Sequence, residues 1–138
     1  MTINFGDFKN GAHHFPVHIF WNATDAGGVV YYANYLKMAE EARGSLEKLF
    51  GPKPGEFMVR KCSVEYMKPA RHNDDLMIRT TCGELKGASI TIEQEVMRDE
   101  EILVKLSTTL VFVDLSTLKP ARIPETYIAK LKEIKNEQ

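Results

Sequence analysis

Apolar and polar residues alternate along most of the chain, and the period of that alternation changes twice. Residues 14–21 alternate with a period of two, which predicts a first strand with Pro16 near its start. Over residues 36–50 the apolar positions recur three or four apart, which predicts an amphipathic helix of roughly sixteen residues that ends at Gly51. Gly44 lies inside this helix and suggests close packing against a neighbour, because glycine lowers helix propensity.

Beyond the helix, the two-residue period returns and continues for about sixty residues. In the first segment after the helix, Met58 and Cys62 are expected on one face. Short links between the last three segments predict an antiparallel meander. Residues 119–124 carry two prolines and precede a short basic helix that ends near Ile134. The four predicted strands lie at about residues 58–66, 76–82, 90–96 and 102–112.

The order of these elements predicts an α+β fold. A long helix after the first of five strands requires an antiparallel sheet that covers the helix. The chain has 138 residues, and we expect residues 1–138 to form a single domain. A five-stranded sheet leaves an edge strand open, and self-association, through edge pairing or exposed faces, is the simplest way to cover it.

Composition narrows the possible classes of function. Eighteen basic and 19 acidic residues give a formal net charge of −1, so no overall positive field attracts nucleic acid or a membrane surface. Neither a signal peptide nor a membrane-spanning segment is indicated, and we predict a cytoplasmic protein. Cys62 and Cys82 lack zinc-site spacing and lie in apolar segments, which predicts buried thiols outside any disulfide. The four histidines also lack metal-ligand spacing, so no metal site is predicted.

Asp25 is the first candidate for chemistry, in the stretch WNATDAGGVVYYANY between the first strand and the helix. An aspartate there is commonly a turn former whose carboxylate accepts a hydrogen bond from a backbone N–H. The flanking residues are apolar, however, and Gly27 and Gly28 allow a ligand to come close. The N–H groups at the helix start can stabilise a developing negative charge. A carboxylate beside such donors has the parts required for acyl-group hydrolysis.

Four motifs, TDAGGVVYYANYL, YMKPARHNDDL, LKGASITIEQEV and TTLVFVDLSTLKPARIP, occur in this order along the chain. Together they resemble the hotdog-fold acyl-CoA thioesterases of the 4-hydroxybenzoyl-CoA thioesterase type. Within that type, the chain is most similar to the subgroup that includes the Tol-Pal-associated acyl-CoA thioesterases. The resemblance runs from about Phe15 to Pro124. It implies a hotdog fold, in which the sheet wraps a long central helix.

The resemblance also implies roles for the residues around Asp25. Asp25 is expected to be the catalytic carboxylate, which either attacks the thioester carbonyl or activates a water. The backbone N–H of Tyr32 is expected to hold the thioester oxygen, and Gly27 and Gly28 to leave room for the thioester. The family's subunits pair so that their sheets are continuous and acyl-CoA lies across the interface, so a homodimer or homotetramer is implied. Coenzyme A is part of the substrate, and no further cofactor is implied.

The phosphates of coenzyme A need local cations and N–H groups, because the net charge is close to zero. Lys86 and Ser89 lie in a loop whose counterparts in the family contact the nucleotide end, although their spacing alone favours a hairpin turn with a solvated lysine. Arg60 is the next candidate, a cation on an otherwise apolar strand face. We therefore predict Lys86, Ser89 and Arg60 as residues that bind the substrate.

The chain departs from the subgroup at several positions. Asn22 and Ala23 stand where the subgroup usually has Glu-Asp, and Tyr32 stands where it often has histidine. These changes alter the acyl pocket, so short aliphatic, long aliphatic and aromatic acyl groups all stay open. The altered Asn22-Ala23 pair also keeps open a non-catalytic module that binds acyl-CoA or a protein. A dehydratase is a weaker alternative, because related folds carry that activity, although the chain has no clear counterpart of the acid-and-histidine arrangement that dehydratases use. Glu40 and Glu41, where another thioesterase lineage has a helix carboxylate, are expected on a solvated face or in interface salt bridges.

Overall fold

The computed structural model describes residues 4–134, which form one antiparallel sheet and two α-helices. The order of strands across the sheet is β1-β2-β4-β5-β6-β3, so β1 and β3 are its edges. The predicted α+β hotdog architecture and the meander of β4, β5 and β6 are confirmed. The elements are β1 (Asp7–Lys9), β2 (Ala12–His18), α1 (Asn34–Phe50), β3 (Glu56–Tyr66), β4 (Asp75–Leu85), β5 (Ser89–Arg98), β6 (Glu101–Val113) and α2 (Glu125–Lys132).

The N-terminal part of the sheet differs from the prediction, because it contains a sixth strand. β1 pairs with residues 12–14 of β2 through a tight turn at Asn10-Gly11, where both residues have positive φ. An Asn-Gly pair is a strong hairpin signal, but the residues of β1 are all exposed and lack the alternation that marks a strand. β2 ends at His18 and not at Trp21, because a 3-10 turn over residues 21–23 follows it.

A β-bulge at Arg60 changes the two faces of β3. The register of β3 against β6 shifts between Val59 and Lys61, so Arg60 is the extra residue. Met58 and Cys62 therefore lie on opposite faces, and the prediction that they share one was wrong. Cys62 is exposed because β3 is an edge strand, whereas Cys82 is buried as predicted.

The core is divided into two apolar clusters, one at each end of α1. Burial of each large apolar side chain stabilises the fold by about 1.5–3 kcal/mol. Between the clusters, the Gln94 side chain donates to the carbonyl of Ala39 at 2.9 Å and to Thr80 Oγ1 at 3.1 Å, and accepts from Arg43 at 3.1 Å. These directional bonds hold α1 in one position on the sheet. The core-facing residues of α1 are Tyr35, Met38, Ala39, Ala42, Leu46 and Phe50.

Within residues 4–134, neither helix has both the length and the apolar character needed to cross a membrane.

Candidate active site

Asp25 begins a tight turn whose two arms are hydrogen-bonded to each other. The Asp25 N–H donates to the carbonyl of Val29 at 2.9 Å, and the Tyr31 N–H donates to that of Ala23 at 3.0 Å. The Gly28 N–H donates to the Asp25 carbonyl at 3.1 Å, and Gly28 has a φ of +80°, which L side chains rarely adopt. The glycine therefore permits a close reversal of the chain directly after the carboxylate.

The Asp25 side chain is exposed and is oriented by its own turn. One carboxylate oxygen, Oδ1, accepts a hydrogen bond from the Gly27 N–H at 2.8 Å. Among the described residues the carboxylate forms no ion pair, and its second oxygen has no partner. The turn-forming role considered from the sequence is thus present, and it leaves one oxygen available for chemistry.

The chain segment before β4 holds this turn in place. The His72 N–H donates to the Gly28 carbonyl, and the Val30 N–H to the Ala70 carbonyl, both at 2.9 Å. The Trp21 indole stacks on the His72 imidazole, with ring centroids 3.4 Å apart and planes inclined by 12°. These contacts fix the turn on both sides, so Asp25 has a defined position relative to α1.

An ion-pair network stabilises the same segment. Asp74 accepts a hydrogen bond from the Arg71 N–H and one from Arg98, each at 2.8 Å. Desolvation raises the pKa of Asp74, but the Arg71 and Arg98 hydrogen bonds more than offset it and hold the pKa below its ordinary value. Asp74 is therefore ionised at neutral pH and anchors the segment that supports the turn.

Tyr32 lies two residues before α1 and therefore precedes the helix start, where the sequence predicted it. The N–H groups of Asn34 and Tyr35 donate to the carbonyls of Tyr31 and Tyr32. Those of Tyr32 and Ala33 have no acceptor among the described residues, and the helix has no side-chain cap. The start of the 17-residue α1 therefore offers unpaired donors at the positive end of the helix dipole.

Tyr66 on β3 contacts the carbonyl and the ring of Tyr32, a contact that sequence reasoning missed. Its hydroxyl donates to the Tyr32 carbonyl at 3.3 Å, and the two rings meet edge to face with centroids 6.3 Å apart. Partial burial and the neighbouring Tyr32 raise the pKa of Tyr66, so its hydroxyl keeps its proton. The sequence marked Tyr66 only as a strand residue, because the contact requires β3 to lie beside α1.

The predicted site residues fall into two separate groups within one protomer, with Arg60 apart from both near the middle of β3. Asp25, Gly27, Gly28 and Tyr32 share one segment at the N-terminal end of α1. Lys86 and Ser89 lie at the opposite end of the sheet. β4 begins beside the first group and ends beside the second, and its eleven residues span about 30 Å.

The predicted substrate-binding residues outside the turn have ordinary surface environments. The N–H groups and carbonyls of Lys86 and Ser89 bond to each other at 2.8 and 3.3 Å, so the two residues close a hairpin. The Lys86 ammonium lies 3.6 Å from the Glu84 carboxylate. Arg60 is exposed at the bulge, near the middle of β3. No group of three or more His, Cys, Asp or Glu residues in the described chain is arranged to hold a metal ion.

Comparison with known proteins gives consistent matches. The sequence model of the Thioesterase superfamily matches residues 27–105. The acyl-CoA thioesterase YbgC of Haemophilus influenzae is 35% identical over 129 residues, which cover 88% of this chain and 95% of that protein. A probable thioesterase from Bartonella henselae superposes with a TM-score of 0.76 at 27% identity, covering 82% of this chain and 99% of the other. A 1,4-dihydroxy-2-naphthoyl-CoA thioesterase from Synechocystis shares the fold, with a TM-score of 0.81 at 19% identity, over 91% and 99% of the two chains.

Proposed function

The chain belongs to the thioesterase superfamily, and we propose that it hydrolyses acyl-CoA thioesters to a free acid and coenzyme A. The observation that carries the proposal is an anchored carboxylate, Asp25, in the same hydrogen-bonded segment as the unpaired N–H of Tyr32. Acyl transfer needs a nucleophile or base at the carbonyl carbon and donors at the carbonyl oxygen. This segment supplies both.

In the proposed reaction, the Tyr32 N–H donates to the thioester oxygen and stabilises the charge that develops there. The free oxygen of Asp25 then acts in one of two ways. It attacks the carbonyl carbon, and a water later hydrolyses the resulting anhydride, or it takes a proton from a water that attacks. In both routes the C–S bond breaks, and coenzyme A leaves as a thiolate that is then protonated. If a single turnover in heavy-oxygen water leaves the heavy isotope in the Asp25 carboxylate, the reaction has followed the first route.

Replacement of Asp25 by asparagine tests the carboxylate. Asparagine can still accept the hydrogen bond from the Gly27 N–H, so the turn is expected to survive. Loss of a positioned base typically costs about 10²- to 10⁴-fold in rate, and we expect thiol release from acyl-CoA to fall by that factor. Tyr32→Phe is the matched control and should stay near parental activity, because the proposed donor is the backbone. Parental rates in Asp25→Asn would exclude the proposed role of Asp25.

The alternative function, an acyl-CoA or protein-binding module, makes an opposite prediction for the parent protein. It expects binding of acyl-CoA in calorimetry, with no thiol released above the buffer rate. The exposed carboxylate with a free oxygen favours the hydrolase.

The separation of Lys86 and Ser89 from Asp25 supports the proposal that the enzyme is a homodimer. β3 is an open edge of eleven residues, with Tyr66 at the Asp25 end of the sheet and Glu56 at the Lys86 end. Antiparallel pairing of two β3 strands reverses these ends. Each subunit would then bring its Lys86–Ser89 hairpin toward the Asp25 end of the other subunit. Arg60 would lie near the two-fold axis. In this arrangement Lys86, Ser89 and Arg60 can bind the phosphates of coenzyme A.

Subunit complementation tests this arrangement. Asp25→Asn and Lys86→Glu homodimers are prepared separately, mixed, and allowed to exchange subunits. If Asp25 and Lys86 act in one site from different subunits, each mixed dimer regains one intact site, and random exchange restores roughly a quarter of the parental activity. If both act within one subunit, the mixture shows only the average of its components. We also propose a cytoplasmic location. Two such dimers can assemble into a tetramer, and light scattering measures the number of subunits.

A further inference from the structure

The outer face of the sheet, which points away from α1, carries a polar concavity of about 1120 Å³. Strand alternation identifies this face, because the Thr80 hydroxyl bonds to Gln94 in the core and Thr81, the next residue of β4, therefore points outward. The apolar side chains of Val64 and Leu106 at this part of the sheet pack in the core on the other face. The side chains that line the concavity are accordingly polar or charged.

A row of polar residues crosses the middle of this face. The register partners on β4, β5, β6 and β3 are Thr81, Glu93, Ser107 and Ser63. The Ser107 hydroxyl donates to Oε1 of Glu93 at 3.0 Å. Gly83 lies on the other side of this carboxylate, and a Cβ there would be only 3.3 Å from the same oxygen. The hydroxyl and the glycine together hold the Glu93 carboxylate against the floor of the concavity.

Thr81 supplies a hydroxyl that the folded chain leaves unused. Its side chain is 2% exposed, and within residues 4–134 its hydroxyl neither donates nor accepts a hydrogen bond. A buried hydroxyl without a partner destabilises a protein, and buried polar side chains are therefore nearly always bonded. Because Thr81 lines the concavity, a molecule bound there can supply the missing hydrogen bond.

Glu93 is a carboxylate whose charge the neighbouring residues do not balance. The other carboxylates of this face each lie beside a basic residue, in the pairs Glu95 with Arg79, Glu84 with Lys86, and Glu65 with Lys105. In the described part of the chain, Glu93 has no basic group within 4 Å, and its second oxygen, Oε2, has no partner. The floor of the concavity therefore offers one negative charge and two vacant hydrogen-bonding oxygens to a single cation.

We propose that this concavity binds a small hydroxylated primary amine, a molecule with the chemistry of an amino sugar. A primary ammonium carries one positive charge and three donors, so it can bond to Glu93 Oε2 and to the Thr81 hydroxyl together. Residues opposite each other on adjacent strands have Cβ atoms about 5 Å apart, which lets one ammonium reach both. The polar lining favours a body that bears hydroxyl groups over a hydrocarbon. The proposal does not depend on the hydrolase function, because Asp25 lies in the turn before α1.

Calorimetry with matched ligands tests the chemistry of the site. Glucosamine provides the primary ammonium on a hydroxylated ring. N-acetylglucosamine keeps the ring and lacks the charge, whereas tetramethylammonium keeps the charge and lacks the N–H donors. We expect glucosamine to bind at one site per subunit and the other two to bind more weakly by about tenfold or more, because each loses charge-assisted hydrogen bonds.

Two variants test the residues. Glu93→Gln removes the charge and keeps an acceptor for the Ser107 hydroxyl, and Thr81→Val removes the unbonded hydroxyl at nearly constant shape. Each should weaken glucosamine binding by about tenfold or more. Thr81→Val should be at least as stable as the parent in urea, so its loss of binding cannot be assigned to misfolding. Glu100→Gln, at an exposed position in the turn between β5 and β6, is the matched control and should keep the parental affinity.

Several outcomes would overturn the proposal. One is a parent protein that gives no binding heat with glucosamine. Equal affinity for N-acetylglucosamine, or unchanged affinity in Glu93→Gln, would show that the ammonium and the carboxylate do not meet. A smaller mass for Glu93→Gln than for the parent in light scattering would show that a second copy of the chain covers this face. The hydrolase function is measured separately by thiol release and would stand in each of these cases.

Discussion

The hydrogen bond between Tyr35 and Ala70 provides a sharp test of how the fold supports the candidate site. The Ala70 N–H donates to the Tyr35 hydroxyl at 2.9 Å, and these residues are 0% and 3% exposed. The carbonyl of Ala70 accepts from Val30, next to the Asp25 turn. Tyr35→Phe keeps the ring in the core and removes the acceptor of a fully buried donor.

The expected cost follows from this geometry. A buried donor left without a partner costs about 1–3 kcal/mol of unfolding free energy. No cavity forms beyond the volume of one oxygen, so the lost hydrogen bond accounts for nearly the whole effect. Burial raises the pKa of Tyr35, so the hydroxyl is neutral across the ordinary pH range and the cost should not vary with pH. We also expect a lower kcat, because Ala70 holds the segment that carries Asp25.

Urea unfolding at one fixed protein concentration measures the effect, because association makes apparent stability depend on concentration. Tyr66→Phe is the matched control. Its hydroxyl makes a longer bond of 3.3 Å on a residue that is 46% exposed, so its loss should cost less than about 0.5 kcal/mol. A Tyr35→Phe protein as stable as the parent, or a control that loses as much, would refute the reasoning.

Two further changes test the core and the N-terminal hairpin. Phe112→Ala should lower the unfolding free energy by about 3–5 kcal/mol, because Phe112 is only 2% exposed, and urea unfolding measures the change. Phe20 is 64% exposed, so the control Phe20→Ala should cost less than about 0.5 kcal/mol. Burial lowers the pKa of His13, and a hydrogen bond to the Phe5 carbonyl offsets this shift only in part. Below about pH 6.5, the unfolded chain therefore binds more protons than the folded chain. Its contribution to stability is therefore complete above that pH and is lost as the pH falls. Melting temperatures measured at several pH values should show this fall and a shallower slope in His13→Asn, and equal slopes would contradict the assignment.

Local patterns along the chain were sufficient for much of this architecture. The spacing of apolar residues in α1 and the alternation in β4, β5 and β6 are properties of neighbouring residues, and the elements appeared within a few positions of where the patterns placed them. The motif around Asp25 was likewise readable, because the acid, the glycines and the helix start are consecutive in sequence.

Other features depend on contacts between distant segments, and the tertiary structure alone decided them. The bulge at Arg60 is a matter of register against β6, and it determines which side chains of β3 share a face. Cys62 is exposed because β3 lies at the edge of the sheet, a position that alternation within the strand does not reveal.

The candidate site shows the same division. The resemblance to the family was enough to propose Asp25 and the Tyr32 N–H as a pair, because both lie in one continuous motif. Lys86 and Ser89 could not be placed relative to that pair. Their distance from Asp25 is set by the length of β4 and by the order of strands in the sheet. A Cβ at Gly44 would meet no heavy atom within 4 Å in the described part of the chain, so the close packing that the sequence suggested there is absent. Sequence thus determined the elements and the local chemistry, while the packing of remote segments decided the distances between functional groups.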